Sequence, residues 1–350
     1  MISMLDGLLC DLKNLQMVTN SLYEQNAKIS IRYPPIGEII TITQRSGKLK
    51  FELISKREYN DKLSSFCSRF PEWAREVPQY GDIMVAFYCA GIPSHKGAEK
   101  VLLDEIKQHN VFQGKKPLWI AYDTCALRHR FHSYVHAFIE KNKLSGSLGH
   151  VVATGVTGEL KQGLGKKYKP AETNLVKREF PEANEFFNQL KLQSRLHRIG
   201  LLDINAIKKH DVYMPVQSEK GDSEIVDGYS KFENDRSAEV LFFSSDSDPI
   251  DMASISGLRA KLIKYRPDLV LEYLRKHAMT LDMVNSIIYH LSIVCGFIRL
   301  RGVSIYSIWV GKDSNDWKNG SVMVVPVGNQ KEPMERNHKI LKAMKEAKLY

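Results

Sequence analysis

Short apolar runs that alternate with helical stretches fill the middle of the chain. The apolar runs predict strands at residues 118–122, 150–154, 240–244 and 260–263. Helical periodicity over 127–143, 182–199 and 223–234 falls between these strands. Strands that alternate with helices are typical of βαβ units, so the pattern predicts an α/β domain with a parallel sheet.

The two flanking regions follow different patterns. Before residue 115 we expect a helix at 3–22, strands at 28–33, 38–43 and 48–54, an alternating apolar segment at 82–88 and a helix at 96–109. After residue 266 we expect a helix at 281–298, strands at 303–310 and 321–325, and a helix from residue 331. These patterns predict an α+β N-terminal domain at 1–115, the α/β domain at 116–266 and a C-terminal α/β extension at 267–350.

Composition and net charge indicate what kind of molecule the protein binds. The chain has 350 residues, 43% of them hydrophobic and 26% charged, as in a globular protein. Its net charge of +10 favours a polyanion, and nucleic acid is the first candidate. The apolar stretch 283–298 is interrupted by polar residues and too short for a bilayer. Five dispersed cysteines and an N-terminal segment without a leading basic region favour the cytoplasm, with no membrane partner.

Aspartates follow two of the predicted parallel strands. Asp123 ends the first strand, and Asp246 and Asp248 follow the strand at 240–244. Each could simply cap the next helix. Parallel strands, however, bring their carboxyl ends to one edge of a sheet, where oxygen ligands for Mg²⁺ or Mn²⁺ would converge.

In order along the chain, these segments resemble the PIN-domain nucleases. The sequence Asp-Thr-Cys-Ala-Leu at 123–127 is similar to the family's Asp-Thr-Asn/Ser-x-Leu, with Cys125 as a departure. Glu159 stands where the family has a glutamate after its second strand, and Ser-Ser-Asp at 244–246 matches Ser/Thr-x-Asp. Asp227, 19 residues before Asp246, fits the family's remaining acid. The resemblance covers about residues 118–266.

The resemblance implies a PIN-like α/β/α core and metal-assisted hydrolysis of RNA, or sometimes DNA. The implied metal ligands and catalytic acids are Asp123, Glu159, Asp227 and Asp246, with Asp248 for a second ion. Thr124 and Ser244 would orient the carboxylates. The third acid stays open, because three other acids lie on or near the same helix: Asp222, Glu224 and Asp235.

Basic residues surround these acids. We expect nucleic-acid contacts from Arg128, Arg130, Lys161 and a segment that we call the lysine loop, Lys166, Lys167 and Lys169. The histidines at 129, 132 and 136 share a helical face. A zinc site is one interpretation of that face, and a solvated or phosphate-contacting surface is favoured.

Two other functions compete with a nuclease. The aspartates in 242–248 also resemble the DxD motif of Mn²⁺-dependent glycosyltransferases. That interpretation gives Asp123 and Glu159 no role. A nuclease-like module that binds nucleic acid or protein without cleaving is the other. We predict a metal-dependent nuclease acting on single-stranded nucleic acid, RNA more than DNA. Whether a partner protein inhibits or regulates it is left open.

Overall fold

Two sheets organise the protein, which a computed structural model describes at residues 7–25, 28–45, 48–109, 111–144, 148–181, 190–307 and 320–347. The strands are β1 Leu8–Cys10, β2 Lys28–Tyr33, β3 Gly37–Arg45, β4 Lys48–Leu53, β5 Leu118–Tyr122, β6 Leu148–Ala153, β7 Tyr213–Val216, β8 Glu239–Ser244, β9 Arg259–Leu262, β10 Phe297–Leu300, β11 Val303–Tyr306 and β12 Val322–Pro326. The helices are α1 Gln16–Gln25, α2 Lys56–Arg69, α3 Tyr80–Cys89, α4 Lys96–Gln108, α5 Thr124–Arg128, α6 Phe131–Lys141, α7 Thr154–Gly163, α8 Pro170–Glu179, α9 Leu192–His210, α10 Asp222–Arg236, α11 Ser247–Ile255, α12 Pro267–Lys276, α13 Leu281–Cys295 and α14 Lys331–Glu346.

The central region forms a five-stranded parallel sheet in the order β7-β6-β5-β8-β9. The mixed α/β class is therefore confirmed, and the four predicted strands agree with the structure within two residues. From β5 the chain builds outward to β6 and β7, and then returns through α10 to place β8 on the other side of β5. The carboxyl ends of β5 and β8 thus flank a topological switch point, where open α/β sheets form ligand clefts.

The flanking regions share one sheet. Its order β1-β12-β11-β10-β2-β3-β4 joins strands from residues 8–53 with strands from 297–326, and all neighbours are antiparallel. The sequence patterns predict two domains for these regions, whereas their apolar residues lie in one continuous core. Separate strand patterns could not reveal this pairing, because about 260 residues separate β2 from its neighbour β10.

Several predicted elements differ in extent. The predicted helix at 127–143 is divided into α5 and α6 at Arg130, whose φ of 55° lies in the left-handed region. Part of the predicted helix at 182–199 and of the strand at 303–310 lies outside the described residues. The predicted helix at 281–298 ends at Cys295, because Gly296 adopts a φ of 84° and starts the turn into β10. Among the described residues, the helices are too short or too polar to cross a bilayer.

Candidate active site

Asp123 lies buried at the carboxyl end of β5, with 5% of its surface exposed. Its carboxylate accepts hydrogen bonds from the Thr124 backbone N–H at 2.6 Å, the Cys125 thiol at 2.7 Å and the Ser244 hydroxyl at 2.8 Å. Burial raises the pKa of Asp123, and the charge of Glu159 raises it further against these hydrogen bonds. The three donors fix the orientation of the carboxylate without cancelling its charge.

Cys125 occupies the position where the PIN-domain nucleases, whose motif this segment resembles, have Asn or Ser. Its Sγ also lies 3.2 Å from the Ser244 hydroxyl and accepts from the Ser245 backbone N–H at 3.2 Å. Burial, followed by the charge of Asp123, raises the pKa of the thiol to about 11. The thiol therefore stays protonated near neutral pH and donates to Asp123, as a hydroxyl or amide would.

Glu159 joins two parts of the sheet edge. Its Oε2 accepts from the Thr124 hydroxyl at 2.5 Å, and its Oε1 accepts from the Gly221 backbone N–H at 3.0 Å. Thr124 follows β5, and Gly221 immediately precedes α10. Glu159 therefore holds the start of α10 next to the end of β5.

The loop at 217–221 is also fastened to the start of α7. Thr154 and Ser218 exchange two hydrogen bonds of 2.9 Å, and the Gly155 backbone N–H donates to the Ser218 hydroxyl at 3.1 Å. A Cβ at Gly155 would lie 2.0 Å from the Glu219 carbonyl oxygen. Only glycine permits this close approach of loop and helix.

Asp222, the first residue of α10, belongs to the acidic cluster at this edge. Burial raises its pKa, and so do the negative charges of four other carboxylates, those of Asp123, Glu159, Asp246 and Asp248. The acids therefore come from the segments after β5, β6, β7 and β8. We call these five residues the acidic cluster.

The other candidates for the third acid lie further along α10. Asp227 is exposed, as Asp222 is, and follows Asp222 by five residues, which places it about 140° around the helix and about 7.5 Å along it. Glu224 is exposed in the first turn, with its carboxylate directed toward the backbone of Gly221. Asp235 lies about 20 Å along the helix axis from Asp222. The geometry therefore favours Asp222 as the third acid, whereas the resemblance implied Asp227.

Asp246 and Asp248 lie exposed at the start of α11. Asp246 is the helix cap, and its Oδ1 lies 3.5 Å from the Asp248 backbone N. The Ser244 hydroxyl accepts from the Asp246 backbone N–H at 2.9 Å while it donates to Asp123. Ser244 therefore connects the two strand ends that flank the switch point.

The acidic cluster supplies hard oxygen donors that suit Mg²⁺ or Mn²⁺. A divalent cation would relieve the mutual repulsion of its carboxylates, which adds to burial in raising the pKa of Asp222. The carboxylates of the acidic cluster are nevertheless not packed tightly together. Within the described residues, the group of three potential ligands whose donor atoms lie within 4.8 Å of one another is a different one: His132, His136 and Asp211.

The two predicted arginine contacts have different surroundings. The Nη2 of Arg128 donates to Gln193 Oε1 at 3.0 Å on the surface, although burial lowers the pKa of this guanidinium. Arg130 is directed inward, where it contacts the Ser133 hydroxyl at 2.8 Å and His290 Nε2 at 3.1 Å. We therefore leave Arg130 out of the proposed nucleic-acid contacts.

The lysine loop connects α7 to α8. Its backbone is held in place, because the Lys166 carbonyl accepts from the Lys191 N–H at 2.9 Å and the Lys169 N–H donates to Glu172 at 2.5 Å. The Lys166 and Lys169 side chains are exposed, and so is that of Lys161 on α7. Lys161 follows Glu159 on α7, and the lysine loop follows the end of that helix, so these lysines continue the chain beyond the acidic cluster.

The predicted histidine face is not a solvated surface. His129 stacks on Tyr265, and its Nδ1 lies 2.7 Å from the Cys125 carbonyl oxygen. His132 is only 1% exposed, because the carboxylates of Asp203 and Asp211 lie beside it. The prediction of a solvated face was therefore wrong for His132, and neither aspartate stood out in the sequence.

Comparison of the chain with protein-family models finds no match, and comparison with curated proteins finds none either. The function is therefore inferred from the geometry of the site.

Proposed function

We propose that the protein is a metal-dependent nuclease that hydrolyses phosphodiester bonds in single-stranded nucleic acid, RNA in preference to DNA. The observation that carries the proposal is the acidic cluster beside the switch point of a parallel sheet. Four consecutive strands of the chain are followed by its acids. Helix capping explains Asp123 and Asp246, and Glu159 fastens α10 to the end of β5, but neither role requires Asp222 to lie with them.

The cluster fits a hard divalent cation, and Asp123, Asp222 and Asp246 are the residues we propose to hold Mg²⁺ or Mn²⁺, with Asp248 available for a second ion. Such an ion lowers the pKa of a bound water and offsets charge on the phosphate. The hydrogen bonds from Cys125 and Ser244 keep Asp123 oriented for this task.

The surrounding residues position the substrate and the acids. The bonds from Glu159 to Thr124 and Gly221 hold Asp222 against the end of β5, which makes Glu159 a positioning residue in this structure. The exposed lysines at 161, 166 and 169 supply positive charge for a phosphate backbone. Preference for RNA follows from the family resemblance.

The direct test incubates labelled single-stranded RNA, single-stranded DNA and duplex with the protein in Mg²⁺, Mn²⁺ or excess EDTA. We expect cleavage of single strands only with a divalent metal. Undiminished cleavage in EDTA would contradict the metal mechanism. Sugar transfer from a nucleotide-sugar donor without cleavage would support a DxD glycosyltransferase, and binding without cleavage would support an inactive module.

Two substitutions on the same helix test which acid belongs to the site. Asp222→Asn should lower cleavage by roughly 10²–10³-fold, as loss of one electrostatic group of a catalytic site does. Its metal-free melting temperature should be unchanged or higher, because a like charge is removed. Asp227→Asn is the matched control and should keep parental activity. The reverse pattern would return the role to Asp227.

A further inference from the structure

A second cluster of potential metal ligands lies beside β6 and the start of β7. His132 Nε2 is 2.8 Å from Asp211 Oδ2, and His136 Nδ1 is 3.1 Å from Asp211 Oδ1. Asp211 lies just before the amino end of β7, whereas the acidic cluster follows the carboxyl ends of the strands. The two clusters therefore occupy different sites.

The backbone presents these donors from two elements. His132 and His136 are four residues apart on α6, so they share one face of that helix. Asp211 is the residue at which α9 ends. A donor set of two imidazoles and one carboxylate is typical of Zn²⁺ sites. One donor atom from each of the three residues lies within 4.8 Å of the others. Tetrahedral Zn²⁺ ligand atoms are about 3.3 Å apart at bond lengths of about 2.0–2.1 Å, so a small rearrangement would bring the three onto one ion.

The second nitrogen of each imidazole also faces a carboxylate. His132 Nδ1 lies 3.6 Å from Asp203 Oδ1, and His136 Nε2 lies 3.4 Å from Glu140 Oε1. His132 Nδ1 is buried and makes no hydrogen bond within the described residues. Histidines that bind metals usually direct their other ring N–H at a carboxylate, which fixes the tautomer and the ring. In both histidines the second ring nitrogen lies near a carboxylate, although neither contact is a hydrogen bond in this structure.

A third imidazole faces the same carboxylate. His150 Nε2 lies 3.6 Å from Asp211 Oδ1, while His150 Nδ1 lies 2.8 Å from the Tyr122 hydroxyl. The site is also accessible, because 34% of the His136 side chain is exposed. An ion could therefore enter without unfolding of the domain.

We propose that His132, His136 and Asp211 bind one Zn²⁺ ion, with His150 as the nearest further donor. The ion would fasten α6 to the end of α9 and the start of β7. This proposal does not rest on the nuclease function, because it uses none of the residues of the acidic cluster. The competing state is an imidazolium and carboxylate network that holds no metal.

The test titrates EDTA-treated, dialysed full-length protein with Zn²⁺ in competition with a chromophoric chelator. We expect one Zn²⁺ per chain and a higher melting temperature with Zn²⁺. His136→Gln should weaken binding by more than about 100-fold and abolish the thermal effect, since it removes a ligand. His210→Gln is the matched control, because His210 is exposed and its ring centroid lies 6.3 Å from that of His136.

Two further variants keep the test decisive. Glu140→Gln alters a largely exposed side chain, so it should fold normally and weaken Zn²⁺ binding by about 10-fold or more. Asp222→Asn should leave the Zn²⁺ stoichiometry unchanged, which separates this site from the acidic cluster. Equal Zn²⁺ binding by the parent, His136→Gln and Glu140→Gln would overturn the proposal, and so would a parent that takes up no Zn²⁺ from the chelator.

Discussion

Gly155→Ala should damage the acidic cluster without altering any acid. The new Cβ would lie 2.0 Å from the Glu219 carbonyl oxygen and 2.7 Å from the Ser218 hydroxyl. An ordinary contact begins near 3.4 Å, so the loop and the helix must separate by about 1.4 Å. That movement carries away Gly221, whose N–H bonds Glu159, and with it Asp222.

The expected magnitudes follow from this displacement. Overpacking costs about 1–3 kcal/mol in free energy of unfolding. A loss of 2 kcal/mol lowers the melting temperature by about 4–8 °C for a unit of 150–250 residues. Misplacement of a catalytic group by about 1 Å can cost about 10²-fold in rate. We therefore expect Gly155→Ala to be less stable and to lose about 10²-fold in cleavage.

The matched control makes the same change three residues later on α7. A Cβ at Gly158 would meet the Lys220 side chain at 3.0 Å, and that flexible chain can move aside. Gly158→Ala should be at least as stable as the parent, because alanine favours a helix by up to about 1 kcal/mol over glycine. Thermal melts and the metal-dependent cleavage assay compare the two variants.

Equal stability and equal cleavage in Gly155→Ala and Gly158→Ala would refute the argument, because the close approach at Gly155 would then have no consequence. If Gly155→Ala is destabilised but cleaves at the parental rate, the loop is packed as described and the role of Asp222 is refuted. If neither variant nor the parent cleaves, stability alone still tests the contact, and the proposed nuclease function fails separately.

Three further predictions use other features of the structure. Cys125→Ser keeps a donor to Asp123 and should cleave within a few-fold of the parent, whereas Cys125→Val should lose activity in the same assay. Changing the three residues of the lysine loop to Ala should weaken binding of single-stranded nucleic acid and preserve turnover at saturating substrate. The slope of log affinity against log salt concentration should fall by up to about 2. An unchanged slope in filter binding would show that the loop does not contact nucleic acid. Burial lowers the pKa of His290 from 6.5 to about 3, so its stabilising contribution is present above pH 6.5 and falls by about 1.4 kcal/mol per pH unit as the pH drops toward 3. Urea unfolding of His290→Gln should show a shallower loss between about pH 6 and pH 4, and parallel curves would contradict this.

The sequence predicts the buried strands of the parallel sheet well. β5 and the centre of β8 are short apolar runs between helices. Their apolar pattern and their length therefore both indicate buried strands. β7 has four residues including Pro215, lies at the edge of the sheet and carries too weak a pattern to be found. Residues 82–88, predicted as an alternating apolar segment, lie in α3, because Gln79 and Asp82 cap a helix and most of its side chains are buried.

The residues of the candidate site also divide into those that the sequence could place and those that it could not. Asp123 and Asp246 could be placed because each lies within two residues of the end of a strand. Choosing Asp222 over Asp227 required the start of α10, since the two residues differ by about 140° around that helix. Asp211 could not be linked to His132, because 79 residues separate them and the link depends on how α6 packs against α9.

The donors around Asp123 explain why this sheet edge suits a cation. All three are neutral: a backbone N–H, the Cys125 thiol and the Ser244 hydroxyl. A buried carboxylate in a purely structural role is usually paired with a cationic side chain, as Asp203 is with Arg130 at 3.6 Å. Burial raises the pKa of Asp123, and its neutral donors leave the charge in place beside Glu159, whereas His132 and Arg130 lower the pKa of Asp203 against its burial. The same fold thus neutralises one buried aspartate internally and leaves the other, at the switch point, with a charge that a divalent cation would balance.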